Sequence, residues 1–102
     1  MLIVITSQNR RHITPHAGKC RKFWKYELKD EKVTDKQLIE VEKEDSFSQS
    51  GEVLEKLLPM DIFVTTGIGD RLREKLRNIG VHVIVTTEIE PEQFICGLAS
   101  TK

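Results

Sequence analysis

Residues 61–85 read DIFVTTGIGDRLREKLRNIGVHVIV, and this stretch decides the fold class. Ile62-Phe63-Val64 is a short apolar run of the kind that forms a strand covered on both faces, so Asp61 to Thr65 is expected as a strand. The glycines of Thr66-Gly67-Ile68-Gly69-Asp70 interrupt it. Ile68, Leu72, Leu76 and Ile79 then recur at i, i+4, i+8 and i+11, the stripe of an amphipathic helix. Gly80 is suited to close that helix, and Val81 to Val85 returns to strand chemistry. Strand, helix and strand in this order make a right-handed parallel crossover.

Working outward, Leu2 to Ile5 is a second continuous apolar run and predicts a central strand. Phe23 to Leu28 alternates, with Trp24, Tyr26 and Leu28 on one face and Phe23, Lys25 and Glu27 on the other. Asp30 and Glu31 form a short turn into a more polar strand from about Val33 to Val41, which makes a hairpin. Ser46 and Gln49 resemble a capping box ahead of a helix carrying Val53, Leu54, Leu57 and Leu58, which Pro59 stops. Pro91 suits the first position of a closing helix with Phe94, Ile95, Cys96 and Leu98, Cys96 being read as packing. The expectation is an α/β domain over residues 1–102, with a five-stranded mixed sheet in the order 3-2-1-4-5, strand 2 antiparallel, and three helices.

The chain has 102 residues and a formal net charge of zero. It has no run of 18 apolar residues to span a membrane, and its apolar start is too short for a signal segment. Two cysteines far apart, Cys20 and Cys96, make no disulfide framework, so a cytoplasmic setting with free thiols is expected. The charges are unevenly placed. Arg10, Arg11, Lys19, Arg21, Lys22, Lys25 and Lys29 face the single acid Glu27 in residues 1–29, whereas residues 30–58 are predominantly acidic. A basic loop in a neutral protein suggests an anionic ligand, and the acidic middle argues against nucleic acid.

The topology carries a spatial consequence. The carboxyl ends of strands one, four and five share one sheet edge, and the loop from Ser7 to Arg21 begins and ends there. That loop and the Thr66–Gly69 turn should therefore be neighbours, at the edge where ligands of open α/β sheets bind. The loop holds His12, His16 and Cys20, side-chain types that ligate zinc, iron or iron–sulfur clusters. Pro15 and Gly18 rule out a long helix through them, so the spacing of four is by itself a weak signal. Three ligands do not close a structural zinc site. His16 could equally be a loop imidazole bonded to a carbonyl, Cys20 a small buried hydrophobe, and His82 a strand residue at the surface. The glycine turn stands at a helix N-terminus, where backbone N–H groups favour an anion, yet it lacks a P-loop lysine; a tight turn alone also explains it.

Catalytic readings find little support. Strand one ends without the carboxylates a metal-dependent nuclease needs, Asp70 and Glu74 suit a helix start, and Ser7 has no recognisable triad partner. No enzymatic activity is expected.

The chain resembles the dinitrogenase iron-molybdenum cofactor biosynthesis family, the NifX-like proteins and the C-terminal domain of NifB-like proteins. The resemblance rests on the apolar first strand, His16-Ala17-Gly18-Lys19-Cys20 with the strand Lys22 to Glu27, Gly67-Ile68-Gly69 opening a helix, and Asn78-Ile79-Gly80-Val81. It departs from the family pattern at Ala17, where an aromatic residue is common, and at Thr66, where a glycine is. The resemblance implies a ribonuclease H-like fold and non-catalytic binding and transfer of an iron–sulfur or iron-molybdenum type cluster precursor between donor and acceptor proteins. It also implies His16 as ligand and Gly67 and Gly69 as the facing turn. Taken with the basic loop, the expected site is His16, Gly18, Arg21, Thr66, Gly67, Ile68 and Gly69, with Cys20 as second metal ligand and His12 outside it. Arg10, Arg11, Lys19 and Arg21 would neutralise an anionic cluster. Two other readings stand beside it: an interaction module of the same fold without a cluster, and a phosphate-ligand binder using the glycine turn.

Overall fold

The computed structural model of the protein describes residues 1–15, 17, 20–30, 32–41 and 52–99. The elements run β1 (Leu2–Thr6), β2 (Lys22–Lys29), β3 (Lys32–Glu40), α1 (Glu52–Leu57), β4 (Ile62–Thr65), α2 (Asp70–Asn78), β5 (His82–Val85) and α3 (Pro91–Ala99). They build one mixed sheet in the order β3-β2-β1-β4-β5. β1 pairs antiparallel with β2 (Ile3 opposite Tyr26) and parallel with β4 (Val4 opposite Phe63), and β4 is parallel to β5. This is the α/β order, 3-2-1-4-5 with strand 2 antiparallel, expected from the alternation of apolar runs.

Successive residues of a strand point to opposite faces, so each apolar run supplies two cores. On one face Val4, Phe23, Phe63 and Val83 pack with Leu57 of α1 and Leu76 of α2. On the other, Ile3, Ile5, Tyr26 and Val64 pack with Ile95 of α3 and with Ile13 from the loop after β1. β1 and β4 lie between both layers, and Ile3, Val4, Ile5, Phe63 and Val64 are fully buried. Removing one such side chain, as in Phe63→Ala, costs about 3–5 kcal/mol.

The helices end earlier than their apolar stripes. α1 stops at Leu57, which is buried, and Leu58 is exposed. The capping box at Ser46 and Gln49 lies outside the described residues. α2 stops at Asn78, and Ile79, expected on its buried stripe, is exposed as the capping residue. Gly80 then takes a φ of +89°. Its N–H bonds the Arg77 carbonyl at 3.0 Å and the Val81 N–H bonds the Leu76 carbonyl at 3.0 Å, the pair of bonds of a Schellman closure. Leu76 and Val81 complete it by packing in the same core. Ile68 precedes the helix and still packs on that core. Cys96, expected as a packing residue of the closing helix, is exposed, because Ile95 is the neighbour that turns inward.

Candidate functional site

The centre of the sheet's carboxyl edge is a pair of threonines. Thr6 ends β1 and Thr65 ends β4, one step beyond the Ile5–Val64 pairing, and both are fully buried. Their hydroxyl oxygens are 2.9 Å apart. Around them stand the Thr14 carbonyl, 2.6 Å from Thr6 Oγ1 and 3.1 Å from Thr65 Oγ1, and the Gly67 carbonyl, 3.0 Å from Thr65 Oγ1. The Gly67 N–H donates back to Thr65 Oγ1 at 3.3 Å. Two hydroxyl protons are thus shared among contacts that join the loop to the glycine turn. The Ala17 N–H closes the junction by donating to the Gly67 carbonyl at 3.1 Å. The expected juxtaposition of loop and turn is present in the geometry.

The loop holds its shape through its own polar side chains. Asn9 Oδ1 accepts from the backbone N–H of Arg11 and of His12, both at 2.9 Å. Thr14 Oγ1 accepts from the Gln8 N–H, and Gln8 Oε1 accepts from the Arg21 N–H, each at 2.9 Å. Ser7 Oγ donates to the His12 carbonyl at 2.8 Å. The Ile13 N–H reaches the Ile89 carbonyl at 2.7 Å and draws the middle of the loop onto the α3 face.

That path separates the candidate ligands. His12 lies on the α3 side, with Nδ1 3.3 Å from Asn9 Nδ2 and Nε2 3.3 Å from Glu90 Oε1. Asn9 Oδ1 is already taken by two backbone donors, so its amide NH₂ faces Nδ1 and the imidazole proton belongs on Nε2, directed at Glu90. Both ring nitrogens are engaged with Asn9 and Glu90, away from the glycine turn. Cys20 lies in the opposite layer, 2% exposed, packed with Phe23 and Val41. Its Sγ–H donates to the Lys22 carbonyl at 3.0 Å, and burial pushes its pKa up. The structure thus places Cys20 as a packed, hydrogen-bonded thiol of the core. His16, Gly18 and Lys19 lie outside the described residues.

Thr66, Gly67 and Ile68 are half-buried, and Gly69 is exposed at the N-cap of α2. Gly69 has φ −77° and ψ 156°, and no side chain caps the helix. A Cβ built at Gly69 meets nothing within 4 Å, so open space adjoins the uncapped N–H groups. Arg21 is half-buried beside this edge, whereas Arg10 is turned away. Arg10 adopts a left-handed φ of 64°, its carbonyl accepts from Trp24 Nε1 at 3.3 Å, and its guanidinium is 3.9 Å from Glu40. Arg10 and Arg11 line a groove against α3, away from the glycine turn. Among the described residues no group of three or more His, Cys, Asp or Glu side chains is gathered as for a metal ion.

Sequence reading placed the strand ends but missed the threonine junction. The available signal was the repeated ending of an apolar run on threonine, Ile5-Thr6 and Val64-Thr65, at matched register.

No helix is long and apolar enough to cross a membrane among the described residues. No curated protein matches the sequence. The chain is similar to the crystal structure of PH0822, with a TM-score of 0.82 and 23% sequence identity over 100% of this chain and 91% of that one. It is also similar to the structure of mj0327 from Methanocaldococcus jannaschii, assigned provisionally as a dinitrogenase, with a TM-score of 0.77 and 12% identity over 97% of this chain and 88% of that one. At these identities the likenesses establish the shared fold. A family model described as dinitrogenase iron-molybdenum cofactor matches residues 1–100, and the chain belongs to that family.

Proposed function

We propose that residues 1–102 act as one non-catalytic carrier domain, which binds an iron–sulfur or iron-molybdenum type cluster precursor as cargo at the carboxyl edge of the sheet. Family membership associates the chain with iron-molybdenum cofactor biosynthesis or binding. The observation that carries the finer reading is the bonded junction of loop and turn, Ala17 N–H to Gly67 carbonyl at 3.1 Å, beside the uncapped start of α2. It brings a loop that contains His16 to backbone donors able to bond cluster sulfides.

His16 is the proposed metal ligand. Gly67 and Gly69 leave the approach to the turn free of side chains other than Ile68, with Thr66 beside them; Gly18 belongs to the proposed site by its place in the loop sequence, and Arg21 offsets the cargo's negative charge. Cys20 stays in the core. A site with one protein ligand holds cargo loosely, as a carrier must if the cluster is to leave by ligand exchange to an acceptor protein. The setting proposed is the cytoplasm, where Cys20 and Cys96 remain free thiols.

Anaerobic reconstitution of the whole chain with an iron–sulfur cluster tests the reading. The parent is expected to retain iron and a sulfide-to-iron charge-transfer absorption. His16→Ala should lose most of both, and Cys20→Ser should keep them. Absence of bound iron in the parent overturns the proposal, and loss on Cys20→Ser with retention on His16→Ala reverses the ligand assignment.

A further inference from the structure

A groove of about 450 Å³ lies on the α3 face, away from the glycine turn, between β2, β3 and the first turn of α3. That volume is within the roughly 300–1,000 Å³ of small-molecule sites. Trp24 and Tyr26 form its floor, and Arg10, Arg11, Lys36 and Gln93 its rim. Tyr26 is 2% exposed, and its hydroxyl is buried beside the Lys36 ammonium with no acceptor for its proton among the described residues. A phenol is a donor in need of an acceptor, and leaving it unmet is costly. The nearest cation cannot supply one, because an ammonium has no lone pair. Lys36 Nζ lies 5.6 Å from the Tyr26 ring centroid and 4.5 Å from that of Trp24, held by Glu92 Oε1 at 2.7 Å.

The charges around the groove favour an anion. Arg11 makes no ion pair among the described residues, and the approach of Arg10 to Glu40 is long and exposed. Glu92 is compensated by Lys36, and Glu90 faces the His12 ring N–H. The first turn of α3 adds N–H groups with no acceptor inside the helix. Glu92 is largely solvent-exposed and free to swing outward.

We infer that this groove binds a small oxyanion ligand, a carboxylate- or phosphate-bearing metabolite, whose anionic oxygens displace Glu92 from Lys36 and accept from the Tyr26 hydroxyl and Arg11. The site uses none of the residues proposed for the cluster, so either reading can fail alone.

Trp24 is the only tryptophan, which makes its fluorescence a direct reporter. The full chain is titrated with inorganic phosphate and with succinate at constant ionic strength, against sodium chloride. A saturable change with a Kd in the range of about 1 mM or tighter is expected for at least one of them. Saturation at lower phosphate than succinate assigns the ligand as phosphate-bearing, and the reverse order as a carboxylate. Arg11→Ala and Tyr26→Phe should each weaken binding about tenfold with unchanged circular dichroism, and Glu92→Gln should tighten it. No saturable change beyond that of chloride overturns the inference. So does a Kd that all three variants leave unaltered, which marks an adventitious ion only.

Discussion

Thr6 and Thr65 each bring one hydroxyl proton to a junction of the Thr14 carbonyl, the Gly67 carbonyl and each other. Replacing Thr65 by valine preserves its shape, leaves the half-buried Gly67 N–H without its side-chain acceptor and takes from the fully buried Thr6 hydroxyl its neighbour. The expected loss is about 1–3 kcal/mol, or a Tm lower by roughly 5–15 °C for a chain of this size, whereas Thr65→Ser should lose much less. Thermal unfolding of both variants checks this; equal losses would make the methyl group, not the hydroxyl, the important part. The two cysteines differ by the same reasoning about burial. Cys96 is exposed and Cys20 is a buried donor with a raised pKa. Iodoacetamide at pH 8 should therefore add one equivalent quickly, at Cys96, with Cys20 reacting only on unfolding. A thiol whose pKa is raised on folding contributes stability that is present below the pKa of the unfolded thiol, about 8.5. That contribution is lost as pH rises through the folded value, so Cys20→Ala should flatten the alkaline fall in stability.

Each helix terminus shows how far sequence periodicity carries at the scale of an element. The stripe from Ile68 to Ile79 was legible as a helix, yet only Leu76 is buried within it, because the backbone turns left-handed at Gly80 and leaves Ile79 at the surface. A hydrophobic pattern counts residues; it does not register where the hydrogen-bonded closure ends the helix. Gly80 itself was readable, since a glycine before a strand suits that closure. Nothing lies within 4 Å of a Cβ at Gly80, so the effect of Gly80→Ala is conformational alone, about 1–2 kcal/mol lost in chemical denaturation. The other end of α2 behaves oppositely. Gly69 has an extended backbone open to any residue, and Gly69→Ser adds the missing cap acceptor. It should raise stability by a few tenths of a kcal/mol while reducing iron retention, because its side chain enters the space before the N–H groups. A serine variant that is more stable and retains iron fully would remove the turn from the site.

At the scale of the whole molecule, what was legible and what was not divide by sequence separation. Contiguous runs such as Leu2 to Ile5 and Ile62 to Val64 announce two-faced strands, and alternating strands and helices constrain their order. The junction of residues 6, 14, 65 and 67, the bond from Ile13 to Ile89 and the groove lined from residues 10 to 93 require the chain to be closed first. Loop and turn are joined by the bond from the Ala17 N–H to the Gly67 carbonyl, so binding at this edge is expected to leave the sheet as it is. Native-state amide exchange separates these contributions. Amides of Ile3 to Ile5 and of Phe63 and Val64, buried on both faces, should open only with global unfolding, and those of Lys32 to Gln37 on exposed β3 should exchange early. Binding of cluster should slow exchange at Ala17, Gly67 and the first turn of α2 and leave β3 unchanged. Phosphate or succinate should instead protect the first turn of α3. Slowing over the entire sheet in both cases would mean that one ligand stabilises the chain globally, and that the two sites on opposite layers are coupled through the loop from Ser7 to Arg21.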